Sequence, residues 1–495
     1  MSLRKLAPFL LLLGASLIAY AHSFHVPFLF DDGPSILDNP YIRQLWPPWV
    51  TLLPPPSAPE AWRPVVSLSL AINYAINEFS PRGYHILNWA VHTGVGWALF
   101  VWLRSVFGLP RLARLNERAA DLALAIALLW IVHPLLTQSV TYIIQRAECM
   151  MALFYVLTLY SVARSAKSPG SRAWMWAAIV FCGLGMLTKR IMVTAPVMAL
   201  VYDRLFLAES WKELWNKRRA LYLGLCATWA PMLLLMWMSP EAAHPGYGFG
   251  MAELNALDYA ASQPAVILHY IRLVIWPSPL VFDYAWPVAK TTAEILPYAI
   301  AILILLALTI FGLLRRHPAA FLGFWFFGLL APSSSFVPIA DLAAEHRMYL
   351  PSVALITGVV LALDYFAQRK AFWTAVLLLC IPLTILTLDR NRDYRSAEAI
   401  WKDTVTKRPL NPHAQYNYGS VLSAQGRLDE ALPYLFEALR LDPTYADVNN
   451  NIGAVLGQQG RLDEAEPYFL RALEINPDFA DARRNLLLLK QLEKP

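Results

Sequence analysis

The chain has 495 residues, of which 57% are hydrophobic and 15% charged, with a mean hydropathy of +0.42. Soluble domains carry about 25% charged residues, so a deficit sustained over this length excludes an ordinary cytosolic enzyme and a disordered protein. The net charge of +6 does not imply a nucleic-acid partner, because the basic residues fall mostly in short loops between apolar runs. Eighteen tryptophans suit a chain whose rings anchor at lipid headgroups. The four cysteines, Cys149, Cys182, Cys226 and Cys380, lie far apart inside apolar runs, with neither metal-ligand spacing nor a disulfide framework.

A membrane span needs about 20 apolar residues. In chain order the apolar runs predict eleven spans: 6–23, 84–104, 119–137, 148–164, 173–188, 191–207, 221–239, 296–314, 319–338, 350–367 and 371–388. The first run follows Arg4 and Lys5 but lacks a small-residue cleavage site before Phe24, so it reads as an uncleaved span with a cytoplasmic N-terminus. Alternate loops agree, carrying Arg104 to Arg118, Arg164 to Arg172, Lys212 to Arg219, Arg315–Arg316 and Arg369–Lys370. Eleven spans place the C-terminus on the opposite side. Segment 261–276, with His269 and Arg272, reads as an interfacial or re-entrant helix on the non-cytoplasmic side. So does 64–79, because Asn73, Asn77 and Glu78 are costly in lipid. The loop 24–83, with Pro54-Pro55-Pro56, is then extracytoplasmic. His133-Pro134 predicts a kink at the end of the third span.

Three groups of ionisable residues fall on that same side. Asp31 and Asp32 follow the first span in Phe28-Leu29-Phe30-Asp31-Asp32-Gly33-Pro34. Paired carboxylates there can take a proton from an acceptor hydroxyl or hold a divalent cation; an Asp-Gly-Pro turn with solvated side chains is the competing reading. The second group is cationic: Arg63, Arg146 beside Glu148, and Lys189-Arg190 at the turn between the fifth and sixth spans. Lys189 and Arg190 run against the positive-inside tendency and so predict a local anionic partner, either a lipid phosphate or a structural carboxylate such as Glu148 or Asp341. The third group is Asp341 through Glu345-His346-Arg347-Met348-Tyr349, at the mouth of a span, with an architectural ion pair as the alternative. His85, Asn88 and His92 share one face of the second span, where helix–helix contacts are the expected outcome.

Residues 412–445 and 446–479 repeat with a period of 34. Gly419/Gly453, Gly426-Arg427-Leu428-Asp429-Glu430/Gly460-Arg461-Leu462-Asp463-Glu464 and Pro443/Pro477 fall in register, as do the small residues Ala431/Ala465 and Ala438/Ala472. This is the tetratricopeptide (TPR) pattern. Residues 480–492 supply a capping helix, and Ala397, Trp401, Thr404 and Pro409 mark a degenerate half-repeat over 391–411. Its missing partner would begin near residue 378, so the last membrane helix is expected to run into the repeat. The expected architecture is all-α: a membrane domain over 1–390 and an extracytoplasmic TPR solenoid over 391–495 that binds a protein or packs.

In their order along the chain, several motifs resemble the tetratricopeptide-carrying O-mannosyltransferases and their bacterial relatives, a group of C-type glycosyltransferases (GT-C). They are Phe30-Asp31-Asp32 with Asn39-Pro40, Trp62-Arg63-Pro64 with Ser67-Leu68-Ser69, Gly83-Tyr84-His85 with Asn88 and His92, and His133-Pro134 with Arg146-Ala147-Glu148. Lys189 with Val193-Thr194-Ala195-Pro196 and Asp203, Trp276-Pro277 with Asp283-Tyr284, and His346-Arg347-Met348-Tyr349-Leu350-Pro351 ahead of the TPRs complete the set. The resemblance implies transfer of a sugar, with inversion, from a polyprenyl-phosphate carrier on the extracytoplasmic face, in a bacterium the periplasmic face of the inner membrane. It implies Asp31 and Asp32 as the catalytic pair, a general base or acceptor-positioning group, while charge and sidedness point to Arg63, Arg146, Glu148, Lys189, Arg190, His346, Arg347 and Tyr349 as the binding group for the donor's phosphate and sugar. A divalent cation, if one takes part, would sit at Asp31 and Asp32. The acceptor would be an exported protein such as pilin or flagellin, held by the TPRs; a glycan or lipid acceptor and a non-catalytic scaffold are the alternatives. Two departures stand out: the relatives usually carry Glu where Gln138 stands, and Glu or Pro where Arg190 follows the lysine. The donor lipid is expected in a groove whose head end lies near Lys189, Arg190, Arg146 and Arg347, opposite Asp31 and Asp32.

Overall fold

A computed structural model describes residues 3–167, 172–238 and 254–492. The side chains of Arg4 and Lys5 and the end of the seventh predicted span at residue 239 lie outside the described residues. Two compact units emerge, residues 1–280 with 287–392 and residues 281–286 with 393–495. Among the described residues there is no β-strand.

In the first unit every predicted apolar run is at least partly helical, but the expected eleven full-length spans do not appear. Among the described residues six helices are long and apolar enough to cross a membrane: Leu6–His25, Pro81–Phe107, Ile143–Lys167, Trp211–Met238, Thr292–Leu314 and Arg369–Asp393. Ala119–Ile131 and Pro134–Thr141 make a seventh if taken as one span bent by 57°. The bend has the anticipated cause: Pro134 interrupts the ladder while His133 Nδ1 accepts the Leu135 N–H and His133 Nε2 donates to the Val274 carbonyl. Four other runs yield only Arg172–Met186, Ala195–Phe206, Ala320–Leu330 and Ser352–Phe366, each 11 to 15 residues long. Turns at Lys189 and at Pro332 to Ser335 end or interrupt them. Segments 64–79 and 261–276 form the helices Pro64–Asn77 and Ala256–Ile275.

Helix Pro81–Phe107 is central and packs against Leu3–Tyr20, Ala119–Ile131 and Arg146–Lys167. Its polar face bonds to neighbouring segments of the same unit, though His85 Nδ1 and Asn88 Oδ1 are buried without a hydrogen-bond partner. His85 Nε2 donates to the Val26 carbonyl, Asn88 donates to the carbonyls of Val140 and Ile143, and His92 bonds the Tyr349 hydroxyl at 2.7 Å and the Ile131 carbonyl at 3.0 Å. These bonds make it the helix-contact surface the sequence suggested. By contrast, Thr292–Leu314 buries only Ile302 and exposes Leu303, Ile304, Leu308, Ile310 and Phe311. A helix this apolar and this uncovered needs lipid around it. The first unit is a multi-pass membrane domain.

The second unit is a stack of helices: Ala397–Lys407, Pro412–Ala424, Leu428–Leu441, Ala446–Gln458, Leu462–Ile475 and Ala480–Leu492. Gly426 and Gly460 each turn the chain at φ +76°, a conformation an L side chain resists, which explains the repeated glycine. Residues 281–286 join this unit although they are remote in sequence. Phe282 packs edge-on against Trp401 and Tyr394, and Asn411 donates to the Asp283 carbonyl.

Candidate active site

The Asp31–Asp32 pair divides into one exposed and one buried carboxylate. Phe30 adopts a positive φ of 43°, and the resulting turn is closed by Asp32 N–H to the Leu29 carbonyl and Gly33 N–H to the Phe30 carbonyl. Adjacent side chains therefore face opposite ways. Asp32 is 1% exposed, and its two oxygens accept the backbone N–H groups of Leu29 and Ile144, both at 2.9 Å. Burial pushes its carboxyl up to about 7 against the pull of those two hydrogen bonds. Asp31 is exposed, and its backbone N–H donates to the Tyr142 hydroxyl. The turn is thus pinned to the segment leading into Arg146. Among the described residues no group of three or more His, Cys, Asp or Glu is arranged to hold a metal ion. With Asp32 turned inward onto two backbone N–H groups, the two carboxylates do not converge on one cation position.

The cations gather around the same turn. Val65 N–H donates to the Leu187 carbonyl, bringing Trp62-Arg63-Pro64 beside the turn that carries Lys189 and Arg190. The Trp62 ring lies 4.0 Å from the Arg63 guanidinium and 4.4 Å from that of Arg190, so one indole face or edge serves each. Lys189 Nζ donates to Glu148 Oε1 at 2.6 Å, with side chains 14% and 2% exposed. The carboxylate partner predicted for Lys189 is therefore Glu148. Burial lowers the ammonium's proton affinity and Glu148 raises it back in part. One of the three ammonium donors is used in that bond; Arg63, besides lying on Trp62, makes a 3.5 Å ion pair with Glu60. Glu60 is 3% exposed, its carboxyl pushed up by burial and pulled down by Arg63, with Asp31 and Lys189 also acting on it.

Other predicted residues are committed elsewhere. Arg146, 1% exposed, donates to Asn73 Oδ1 at 2.7 Å and to oxygens of Ser69 and Tyr84, tying Pro64–Asn77 to Pro81–Phe107. Its charge reaches Asp32. Arg347 spends its guanidinium on the Tyr259 hydroxyl and the carbonyls of Ser333, Leu342 and Asp341, clamping the 333–342 loop. Tyr349 is buried with its hydroxyl on His92, inside the helix packing. His346 is partly exposed and is held by Gln138. Burial and then the charges of Lys189, Arg347 and Arg63 hold its imidazole neutral. Asp31, Asp32, Glu60, Arg63, Lys189, Arg190 and His346 thus share one electrostatic neighbourhood, with Trp62 between two of its cations. Glu60, Trp62 and Tyr142 escaped the sequence reading. Trp62 stood in a quoted motif, but nothing in a Pro-rich loop signals which side chains turn inward. Two cavities of about 530 and 580 Å³ lie away from this cluster, lined by Trp102, Phe107, Phe321 and Leu322 among others, and contain none of its residues.

Residues 69–237 match the family described as dolichyl-phosphate-mannose-protein mannosyltransferase, a stretch that includes Arg146, Glu148, Lys189 and Arg190. Residues 385–446 and 446–479 match tetratricopeptide repeat families. Over 478 residues the chain is 27% identical to the human protein O-mannosyl-transferase TMTC4, covering 85% of this chain and 64% of that protein. Human protein O-mannosyl-transferase TMTC3 is 22% identical over 493 residues, covering 88% and 51%. Caenorhabditis elegans protein O-mannosyl-transferase F38B6.6 is 25% identical over 468 residues, covering 88% and 63%. The chain spans about half to two-thirds of the length of these curated relatives. With a polytopic helical domain ahead of tetratricopeptide repeats, the chain resembles the TPR-containing protein O-mannosyl-transferases along most of its length.

Proposed function

We propose that this protein transfers a sugar, mannose being the sugar its relatives' names carry, from a polyprenyl-phosphate donor to a hydroxyl of a protein acceptor. The observation that carries the reading is the separation of Asp31 from Asp32: one carboxylate is exposed, its neighbour is buried and holds the turn, and the cations Arg63, Lys189 and Arg190 stand nearby. Asp31 takes the proton of the acceptor hydroxyl as that oxygen attacks C1 of the sugar. The bond from C1 to the phosphate oxygen breaks with inversion, and the lipid phosphate leaves with the electron pair. Arg63, Lys189 and Arg190 face the charge growing on that leaving group, where fixed cations at low local dielectric stabilise a transition state more than a ground state. Asp32, Glu60 and Arg146 set the shape and field of the wall. Arg347 and Tyr349 support it from behind.

The site would lie on the extracytoplasmic face, in a bacterium the periplasmic side of the inner membrane, opposite the loops rich in Arg and Lys. The TPR unit would hold the exported acceptor. The test is reconstitution of the full chain in proteoliposomes with radiolabelled polyprenyl-phosphate mannose and a Ser/Thr-containing peptide. Label on the peptide supports the reading. Label only on a glycan or lipid moves the acceptor class, and no transfer to any acceptor sinks the reading.

A further inference from the structure

Gln138 Oε1 accepts two hydrogen bonds from the same residue, the backbone N–H of His346 at 3.0 Å and the ring Nδ1 of His346 at 3.2 Å. A backbone N–H can only donate, so the atom it meets must be the amide oxygen and not the amide nitrogen. An amide oxygen can only accept, so Nδ1 of His346 must carry the ring proton. In the neutral imidazole the other nitrogen, Nε2, is then a bare acceptor. It is not among the buried atoms lacking a partner, and no contact to it from the described residues is seen, so it opens to the partly exposed side of the ring.

The surroundings keep the ring in that form. Lys189, Arg347 and Arg63 all oppose a further positive charge. The segments packed against Glu345–Met348, Pro134–Leu136 and Thr137–Thr141, contain no ionisable side chain. On its own element the ring's acidic neighbour is Glu345, which is fully buried. Among the described residues no group donates to Nε2. A neutral acceptor set among cations is suited to a hydroxyl attached to an anion.

We infer that Nε2 of His346, held in its acceptor tautomer by Gln138, receives a hydrogen bond from a hydroxyl of the donor sugar whose phosphate faces Lys189 and Arg63. This rests on the transfer reaction proposed above and adds a sugar-recognition contact and the residue that positions it. Glutamate at position 138 would convert the arrangement: a carboxylate on Nδ1 favours the imidazolium, whose Nε2–H donates and can no longer accept.

The experiment measures transfer by the full chain in proteoliposomes from polyprenyl-phosphate mannose and from its mono-deoxy analogues. With the full donor, His346→Ala should raise the donor concentration for half-maximal rate about tenfold, the scale of one neutral hydrogen bond. With one deoxy donor, the one lacking the contacted hydroxyl, wild type and variant should be equal. His346→Gln, which returns an acceptor oxygen near the Nε2 position, should recover most of the loss and guards against a variant that merely misfolds. Gln138→Glu should bind donor poorly near neutral pH and improve as pH rises and the imidazolium loses its proton, a profile wild type lacks. Equal losses for His346→Ala on every donor, or a Gln138→Glu pH profile that overlays wild type, overturns the assignment while the transfer reaction stands. Wild-type protein that transfers from no polyprenyl-phosphate sugar overturns the transfer reading and this contact with it.

Discussion

Replacing Lys189 with methionine keeps the length and apolar character of the stem and removes the charge. The ammonium sits 2.6 Å from Glu148 Oε1, and the two side chains are 14% and 2% exposed, so the variant strands a carboxylate that water hardly reaches. Breaking one side of a pair this buried costs about 3–5 kcal/mol, most of it the cost of leaving the other charge unpaired. The double variant Lys189→Met/Glu148→Leu removes that penalty and should return close to wild-type stability, because a buried pair and apolar residues of similar volume are often equivalent. Transfer should not return with it. If Lys189 faces the leaving phosphate, its loss costs about 2.7–4 kcal/mol of transition-state stabilisation, on the order of a hundredfold or more in rate. Tryptophan-fluorescence melts in detergent and transfer in proteoliposomes read the two quantities separately. A Lys189→Met protein as stable as wild type refutes the buried-pair reasoning. A double variant that recovers both fold and transfer shows that Lys189 serves only Glu148.

Three further outcomes follow from contacts described above. Asp32, protonated up to about 7 when folded against 3.8 for its ordinary value, makes the folded state bind the extra proton between those limits. Its contribution to stability is fully present below the unfolded value and is lost as pH rises through the folded one, about 2–3 kcal/mol between pH 5 and pH 8; melts of wild type should show this drop relative to Asp32→Asn, and parallel pH curves for the two would contradict it. Asn73→Leu removes the 2.7 Å acceptor of the Arg146 guanidinium and should cost about 1–3 kcal/mol in the same melts, whereas no change would mean Ser69 and Tyr84 suffice. Gly453→Ala puts a Cβ 2.8 Å from the Phe469 ring and should loosen the repeat by about 1–3 kcal/mol, read as faster proteolytic cleavage within 446–479; unchanged cleavage would show that the helices can separate freely.

What the sequence disclosed depends on the range of the physics behind it. The 34-residue period exposes the TPR because each repeat is one local helix pair, and the prolines and glycines recur where helices end. Apolar runs locate the membrane helices, yet not their lengths: Ala195–Phe206 starts late, after the 3-10 turn Arg190–Thr194, and Ala320–Leu330 stops early, before Pro332-Ser333-Ser334-Ser335. Lys189 was legible as a cation in need of an anion, since charge against the sidedness rule has to be compensated, and the geometry supplies Glu148. Asp31 and Asp32 are indistinguishable as letters; only the left-handed Phe30 turn and the reach of Ile144 N–H separate an exposed carboxylate from a buried one. The four oxygens around Arg347 come from residues 259, 333, 341 and 342, a set that its sequence neighbourhood does not announce. Glu60 gave no signal because its burial comes from loop packing, which has no periodicity.

The account turns on Asp31 as the group that takes the acceptor's proton, and the paired variants Asp31→Asn and Asp32→Asn test it most directly. Asp31 is exposed, so Asp31→Asn should melt like wild type while its transfer from polyprenyl-phosphate mannose to peptide falls about 10²–10⁴-fold, the range of a lost general base. Asp32→Asn, whose neighbours are two backbone N–H groups, should instead show its main effect in the melt. Asp31→Asn protein that folds normally and transfers sugar at the wild-type rate would contradict the account.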